Sequence, residues 1–131
     1  MRLTGRVKRI AAWALGILPA SLLAAYAGVN VAIGSGLHDV SQMAMSRFEG
    51  DRIEALIALA DCTGCRVEDR DHAVWALGQF RDRRALPVLH RYYDGTSCNH
   101  TCRICQHELE KAIRWTEGNV FMLPQIWRLA L

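Results

Sequence analysis

The sequence predicts an all-α protein, an N-terminal transmembrane helix followed by a small helical domain. Three observations carry that expectation. Residues 10–37 contain no charged side chain and follow directly on Arg2, Arg6, Lys8 and Arg9. Downstream, apolar residues recur at spacings of three and four between polar turn signals, the period of a helix with one buried face. No alternating run long enough for a strand occurs anywhere in the 131 residues.

The apolar stretch comes first. A bilayer core is crossed by roughly 20 apolar residues in a helix, and residues 10–33 supply them as a membrane anchor or signal segment. Ser21 and Asn30 are the conspicuous polar side chains within it, and both are small. Pro19 is compatible with a membrane helix, in which neighbouring groups recapture the freed carbonyl. Lysine and arginine stay on the cytoplasmic side. The basic head, residues 1–9, is therefore expected inside, and everything beyond a short joint at residues 34–38 outside the cytoplasmic membrane. A cleaved signal peptide competes with the anchor, because Ala25-Tyr26-Ala27 is a small-x-small site. The apolar run continues past it through Val29, Val31, Ala32 and Ile33, further than a cleaved signal requires.

Charge follows the same division. The chain has 16 lysines and arginines against 13 acidic residues, and its excess lies in the N-terminal head, leaving the remainder close to neutral. A nucleic-acid binder would carry a basic stripe, and the exported part has none, so no nucleic-acid partner is expected.

Residues 39–131 are long enough for one small domain. A first helix there covers residues 52–60, with Ile53, Leu56, Ile57 and Ala60 on one face and Asp51 as its N-cap. The turn Cys62-Thr63-Gly64-Cys65 follows. A second helix, residues 71–80, buries Val74, Leu77 and Trp75. Arg81-Asp82 breaks the run before a third helix carrying Ala85, Leu86, Leu89, Tyr92 and Tyr93, which ends at Asp94-Gly95. A fourth spans residues 101–116, with Ile104, Leu109, Ile113 and Trp115 for the core. The tail, residues 120–131, is apolar and contains Pro124, Phe121, Met122 and Trp127.

The stretch His72-Ala73-Val74-Trp75-Ala76-Leu77-Gly78-Gln79-Phe80, followed by Arg81-Asp82-Arg83-Arg84-Ala85-Leu86-Pro87-Val88-Leu89, resembles a HEAT-type repeat in its short bacterial form. The physical reading agrees: Gly78 admits a close neighbour, and Pro87 falls near a helix start, where its missing N–H matters least. Residues 50–57 look like the second helix of a weaker, preceding repeat. The resemblance implies an HEAT-like α-solenoid with a protein-binding face. Solenoids need about three repeats to bury a core, so something else must help hold this one together.

The cysteines are the candidates. Cys62 and Cys65 form one cluster, and Cys98, Cys102 and Cys105 a second. Structural disulfides suit a thin core in an oxidising compartment, and closing a loop as long as the interval between the clusters would contribute about 3–4 kcal/mol. Five thiols leave the connectivity open. Alternatively, Cys62, Cys65, Cys102 and Cys105 could hold zinc as four thiolates, with Cys98, His100 and His107 in reserve. Redox chemistry is a third reading, since a thiol at a helix N-terminus has its thiolate stabilised, as Cys102 and Cys105 would be. No thioredoxin-like strand-helix pattern surrounds either pair, and Arg66 and Gln106 stand where covalent haem attachment requires histidine.

Other candidate groups read as structural. Glu68, Asp69 and Asp71 could form an acid/base set but sit in a charged capping stretch with Arg66 and Arg70. His72 and His90 belong to the repeat helices. No serine nucleophile elbow and no glycine-rich phosphate loop is present. The expectation is a non-enzymatic, single-pass, membrane-anchored adaptor that binds a protein partner and no evident small-molecule substrate or cofactor, with zinc or thiol-redox handling as the alternative.

Overall fold

The structure, a computed structural model, describes residues 5–98, 103–118, 125 and 128. Among these residues it is all-helical, with α1 (Gly5–Arg47), α2 (Arg52–Asp61), α3 (Val67–Phe80), a 3-10 turn (Arg83–Ala85) running into α4 (Leu86–Tyr92), and α5 (Gln106–Thr116). The chain divides into two compact units, Met1–Ser35 with Gln125–Leu131, and Gly36–Pro124.

In the first unit, α1 passes through Pro19 without a break. Its small polar side chains turn back onto their own helix: Ser21 Oγ donates to the Ile17 carbonyl at 2.6 Å and Asn30 Nδ2 to that of Tyr26 at 2.9 Å. Such bonds satisfy a polar group where water is scarce. Trp13, Ile17, Leu18, Leu22, Leu23, Val29 and Val31 are all more than half exposed. Gly16–Arg47 is long and apolar enough to cross a membrane by length and composition.

The expected joint at residues 34–38 is instead helical, and α1 continues to Arg47. In the second unit this part of the helix is amphipathic: Leu37, Ser41 and Ala44 are buried at helical spacing. Glycines at 34 and 36 weaken a helix only by about 1 kcal/mol each, too little to break one whose continuation buries a core stripe.

Asp51 starts α2 as expected, accepting from the Glu54 N–H at 2.9 Å while Glu54 Oε2 accepts from the Asp51 N–H at 3.0 Å. This reciprocal box satisfies two of the donors a helix start leaves free. We expect Asp51→Ala to lower the thermal midpoint of the unit and Asp51→Asn to lower it less, because asparagine also caps. Equal losses in a thermal scan would show that the cap is immaterial.

The α3 helix begins at Val67, a full turn earlier than the sequence suggests, with Glu68 and Asp69 in its first turn where the helix dipole favours them. It ends at Arg81, the one non-glycine residue with positive φ (55°) among those described. Asp82 then accepts from the Arg84 N–H, launching the 3-10 turn and α4. The α5 helix starts at Gln106, later than expected; residues 99–102 lie outside the described residues, as does the apolar tail apart from residues 125 and 128.

Contacts fix the helix directions. Arg52 lies over the Phe80 ring and Arg70 Nε donates to the Ala60 carbonyl, so α2 and α3 are antiparallel. Arg84 pairs with Asp51 and Arg91 with Asp61, so α2 and α4 run the same way. The Cys105 N–H donates to Asp71 and Gly78 faces Ala112, so α3 and α5 also run the same way. Two layers result, α2 beside α4 and α3 beside α5. Between them lie Ile53, Leu56, Leu59, Val74, Leu77, Val88, Leu89, Ile104, Leu109 and Ile113, all buried. Ile57, Trp75 and Trp115, expected inside, are only half-buried.

Candidate functional site

The cysteines pair within their clusters. Cys62 bridges Cys65 and Cys98 bridges Cys105, with Cα–Cα separations of 5.4 and 5.0 Å. The long inter-cluster loop considered from the sequence is therefore not what these bridges close. Geometry explains the outcome. Cys62 is the C-cap of α2 and Cys65 stands just before the N-cap of α3, so a tight turn brings them together. Cys98 follows α4 and Cys105 is the N-cap of α5. Each bridge thus locks one connection at the same end of the two layers.

This pairing dismantles the four-thiolate set. Cys62 and Cys65 are bonded to each other and Cys105 to Cys98, while Cys102 and His100 lie outside the described residues. A bridged sulfur is no thiolate ligand. His107 is exposed, and its backbone N–H, not its ring, meets Cys98 Sγ at 3.3 Å. Among the described residues no group of three or more histidine, cysteine or acidic side chains is placed to hold a metal ion.

The supposed acid/base set is likewise dispersed. Asp69 pairs with Arg47 at 3.1 Å, Glu68 with Arg66 at 3.5 Å, and Asp71 accepts from the Cys105 N–H at 2.8 Å. Asp71 is a positioning residue: from α3 it holds the first turn of α5. His90 pairs with Glu117 at 3.5 Å, and His72 is exposed.

Two further side chains organise this end and carry no sequence motif. Gln106 donates to the Tyr92 carbonyl at 3.0 Å and accepts from the Asp94 N–H at 2.9 Å, tying the end of α4 to the start of α5. Arg70 is buried, donates to the Ala60 carbonyl and places its guanidinium 4.9 Å from the centre of the Tyr92 ring. A residue that completes a neighbouring backbone can be recognised only once the neighbour is known.

The α2–α4 layer presents a ladder of opposite charges. Arg84 joins Asp51 at 2.7 Å and Asp82 at 2.9 Å, and Arg91 joins Asp61 at 2.8 Å, where the Tyr92 hydroxyl also donates. The Tyr92 hydroxyl, and after it Arg91, holds the Asp61 carboxyl below its usual value of 3.8. Reciprocally, Asp61 pushes the Tyr92 hydroxyl above 10.0. A depressed carboxyl contributes stability that is present above its unfolded pKa and lost as pH falls through its folded pKa. A raised phenol contributes stability lost as pH rises above its unfolded value. Asp61 is partly exposed, so its contribution is at most about 1 kcal/mol. Asp61→Asn should remove it at pH 7 and flatten the loss of stability as pH falls below the usual carboxyl value of 3.8, as denaturant titrations at each pH would read.

These features define a class: a small all-helical protein with a long apolar N-terminal helix and layered helix pairs stapled at their connections. Within it, residues 69–95, which span most of α3, the 3-10 turn and α4, match the PBS lyase HEAT-like repeat family. No curated protein and no solved structure matches the chain. Repeats of this kind commonly mediate protein interactions.

Proposed function

We propose that this chain is a membrane-anchored, non-enzymatic adaptor whose HEAT-like domain, outside the cytoplasmic membrane, binds a protein partner. The observation carrying the reading is the repeat at residues 69–95 set between helices that keep its two directions, α2 before it and α5 after it. Parallel stacking of α3 on α5 and of α2 beside α4 is how an α-solenoid grows, and such a stack offers an extended face instead of a closed pocket. Too few repeats are present for a self-sufficient core, and the two bridges supply the missing restraint in a compartment that permits them.

The anchor reading is supported by the exposed side chains of α1. A core helix of a soluble protein buries its apolar residues, whereas Leu18, Leu22, Leu23 and Val31 are each over 60% exposed. The basic head favours an inside N-terminus.

Photo-crosslinking in intact cells, with the anchor retained and the crosslinker on the exposed face of α4 at His90, tests the adaptor. A discrete partner recovered under several conditions supports it; none under any condition removes it. The anchor is tested separately: alkaline extraction should leave the chain in the membrane, and protease added outside should reach the Gly36–Pro124 unit.

A thiol-redox reading is favoured by one feature, the Cys62–Cys65 bridge with Thr63 and Gly64 exposed between its ends. It requires that Cys62→Ser abolish thiol exchange in a folded protein. A variant that merely loses stability assigns the bridge to structure.

A further inference from the structure

Between residues of α1, α3 and α5, the Gly36–Pro124 unit leaves an open groove of about 600 Å³. Its surface is mostly apolar, with the half-buried Trp75 as floor and Val40 as one wall. Gly36 stands over the indole edge, where even a Cβ would already be in van der Waals contact at 3.4 Å. Around this aromatic floor are three carboxylates, Asp39 from α1, Asp71 from α3 and Glu108 from α5. No lysine or arginine is among the described lining residues, and His72 is the other titratable one.

Asp39 is exposed. Glu108 takes Lys111 Nζ on Oε1 at 2.7 Å; its Oε2 has no hydrogen-bond partner and is shielded from water, so this carboxylate acts on the groove through its charge. Lys111 itself lies over the Trp115 ring, 5.4 Å from its centre, and is not among the described lining residues of the groove. Like charges gathered in a concave, partly apolar wall produce a focused negative potential, which repels phosphates of lipid or nucleic acid. An indole face attracts a cation, most strongly where both are desolvated. Lysine and arginine match both demands, since each has an apolar stem and a charged end.

We propose that this groove binds a lysine- or arginine-bearing segment of the partner protein. The stem lies against Trp75 and Val40, and the charged end sits among Asp39, Asp71 and Glu108. This rests on the adaptor reading and names the chemistry of its partner.

The probe is a hexapeptide with two lysines among leucines, titrated into the full-length chain in detergent by calorimetry and by the indole N–H resonance assigned through Trp75→Phe. Controls are the same peptide with acetylated lysines and one with glutamates in their place. The lysine peptide should bind and shift the Trp75 signal, and both controls should fail. Asp39→Asn with Glu108→Gln, which spares the Asp71–Cys105 bond, should weaken binding about tenfold. Equal binding of the acetylated or acidic peptide, or undiminished binding by the double variant, would overturn the groove.

Crosslinkers at Val40 and at His90 in cells separate the two readings. Capture from His90 alone, with no lysine-peptide binding, refutes the groove and leaves the adaptor standing. No capture from either position, again without peptide binding, removes both.

Discussion

Gly78→Val is expected to destabilise the Gly36–Pro124 unit by about 3 kcal/mol. A Cβ built at Gly78 would lie 2.9 Å from the Ala112 Cα and 3.0 Å from its Cβ. The first of these atoms is backbone, so the clash is relieved only by moving α5 away from α3. That movement would open the contact lined by Leu77, Leu109 and Ile113, and pull the start of α5 from Asp71. Gly78→Ala should cost less, because its smaller clash is partly offset by the roughly 1 kcal/mol by which alanine outranks glycine in a helix. The control is Gly64→Ala, where nothing lies within 4 Å of the new atom and φ is ordinary. Urea unfolding of the full chain in detergent, followed by hydrogen exchange of α3 and α5 amides, reads the difference. A Gly78→Val protein as stable as the control would mean that α3 and α5 do not touch as described.

Reduction of both bridges should cost about 4 kcal/mol in all. The chain-entropy estimate gives about 2 kcal/mol for the Cys62–Cys65 turn and about 2.5 kcal/mol for the Cys98–Cys105 loop, whose separations are 3 and 7 residues. Against the 5–15 kcal/mol typical of a folded domain, this is a large share. For a unit of this size the thermal midpoint should fall on the order of 20 °C in a phosphine reductant. Cys98→Ser with Cys105→Ser should reproduce more than half of the fall. A shift of only a degree or two would mean that the layers hold without their staples and that the thiols serve another purpose.

Much of the fold was legible because its signals are local. The charge-free run of residues 10–37 announces the long apolar helix α1. Asp51 marks a helix start, and Gly78 and Pro87 mark a close contact and a helix entry through their own stereochemistry. Boundaries were read less well where a distant partner sets them. The α3 helix gains an extra turn because Glu68 and Asp69 suit its N-terminus, while Cys105, fixed by Cys98 and Asp71, delays α5 until Gln106. Residues 34–38 are helical despite their glycines, because burial of Leu37, Ser41 and Ala44 favours an unbroken helix, while the boundary between the two units falls within them, between Ser35 and Gly36.

The site was less legible still. Spacing in the chain brought Cys62, Cys65, Cys102 and Cys105 to notice as a thiolate set, but pairing depends on where helix ends meet. Gln106, Asp71 and Arg70 act on backbone groups 10 to 34 residues away, for which no motif exists. The acidic groove around Trp75 draws one carboxylate from each of three helices, and no window of sequence contains it.

By itself, then, the sequence determined the helical class, the apolar N-terminal segment, the repeat at residues 72–89 and the presence of two cysteine clusters. These depend on periodicity, charge and the conformational preferences of single residues, which act over one or two helical turns. Tertiary structure alone decided which cysteines bridge, which way the helices run and which carboxylates share a groove. Those outcomes follow from packing two layers so that Gly78 meets Ala112 and the two bridged connections come to the same end. Such packing is set by shape and buried area across distances in the chain that local preference does not reach.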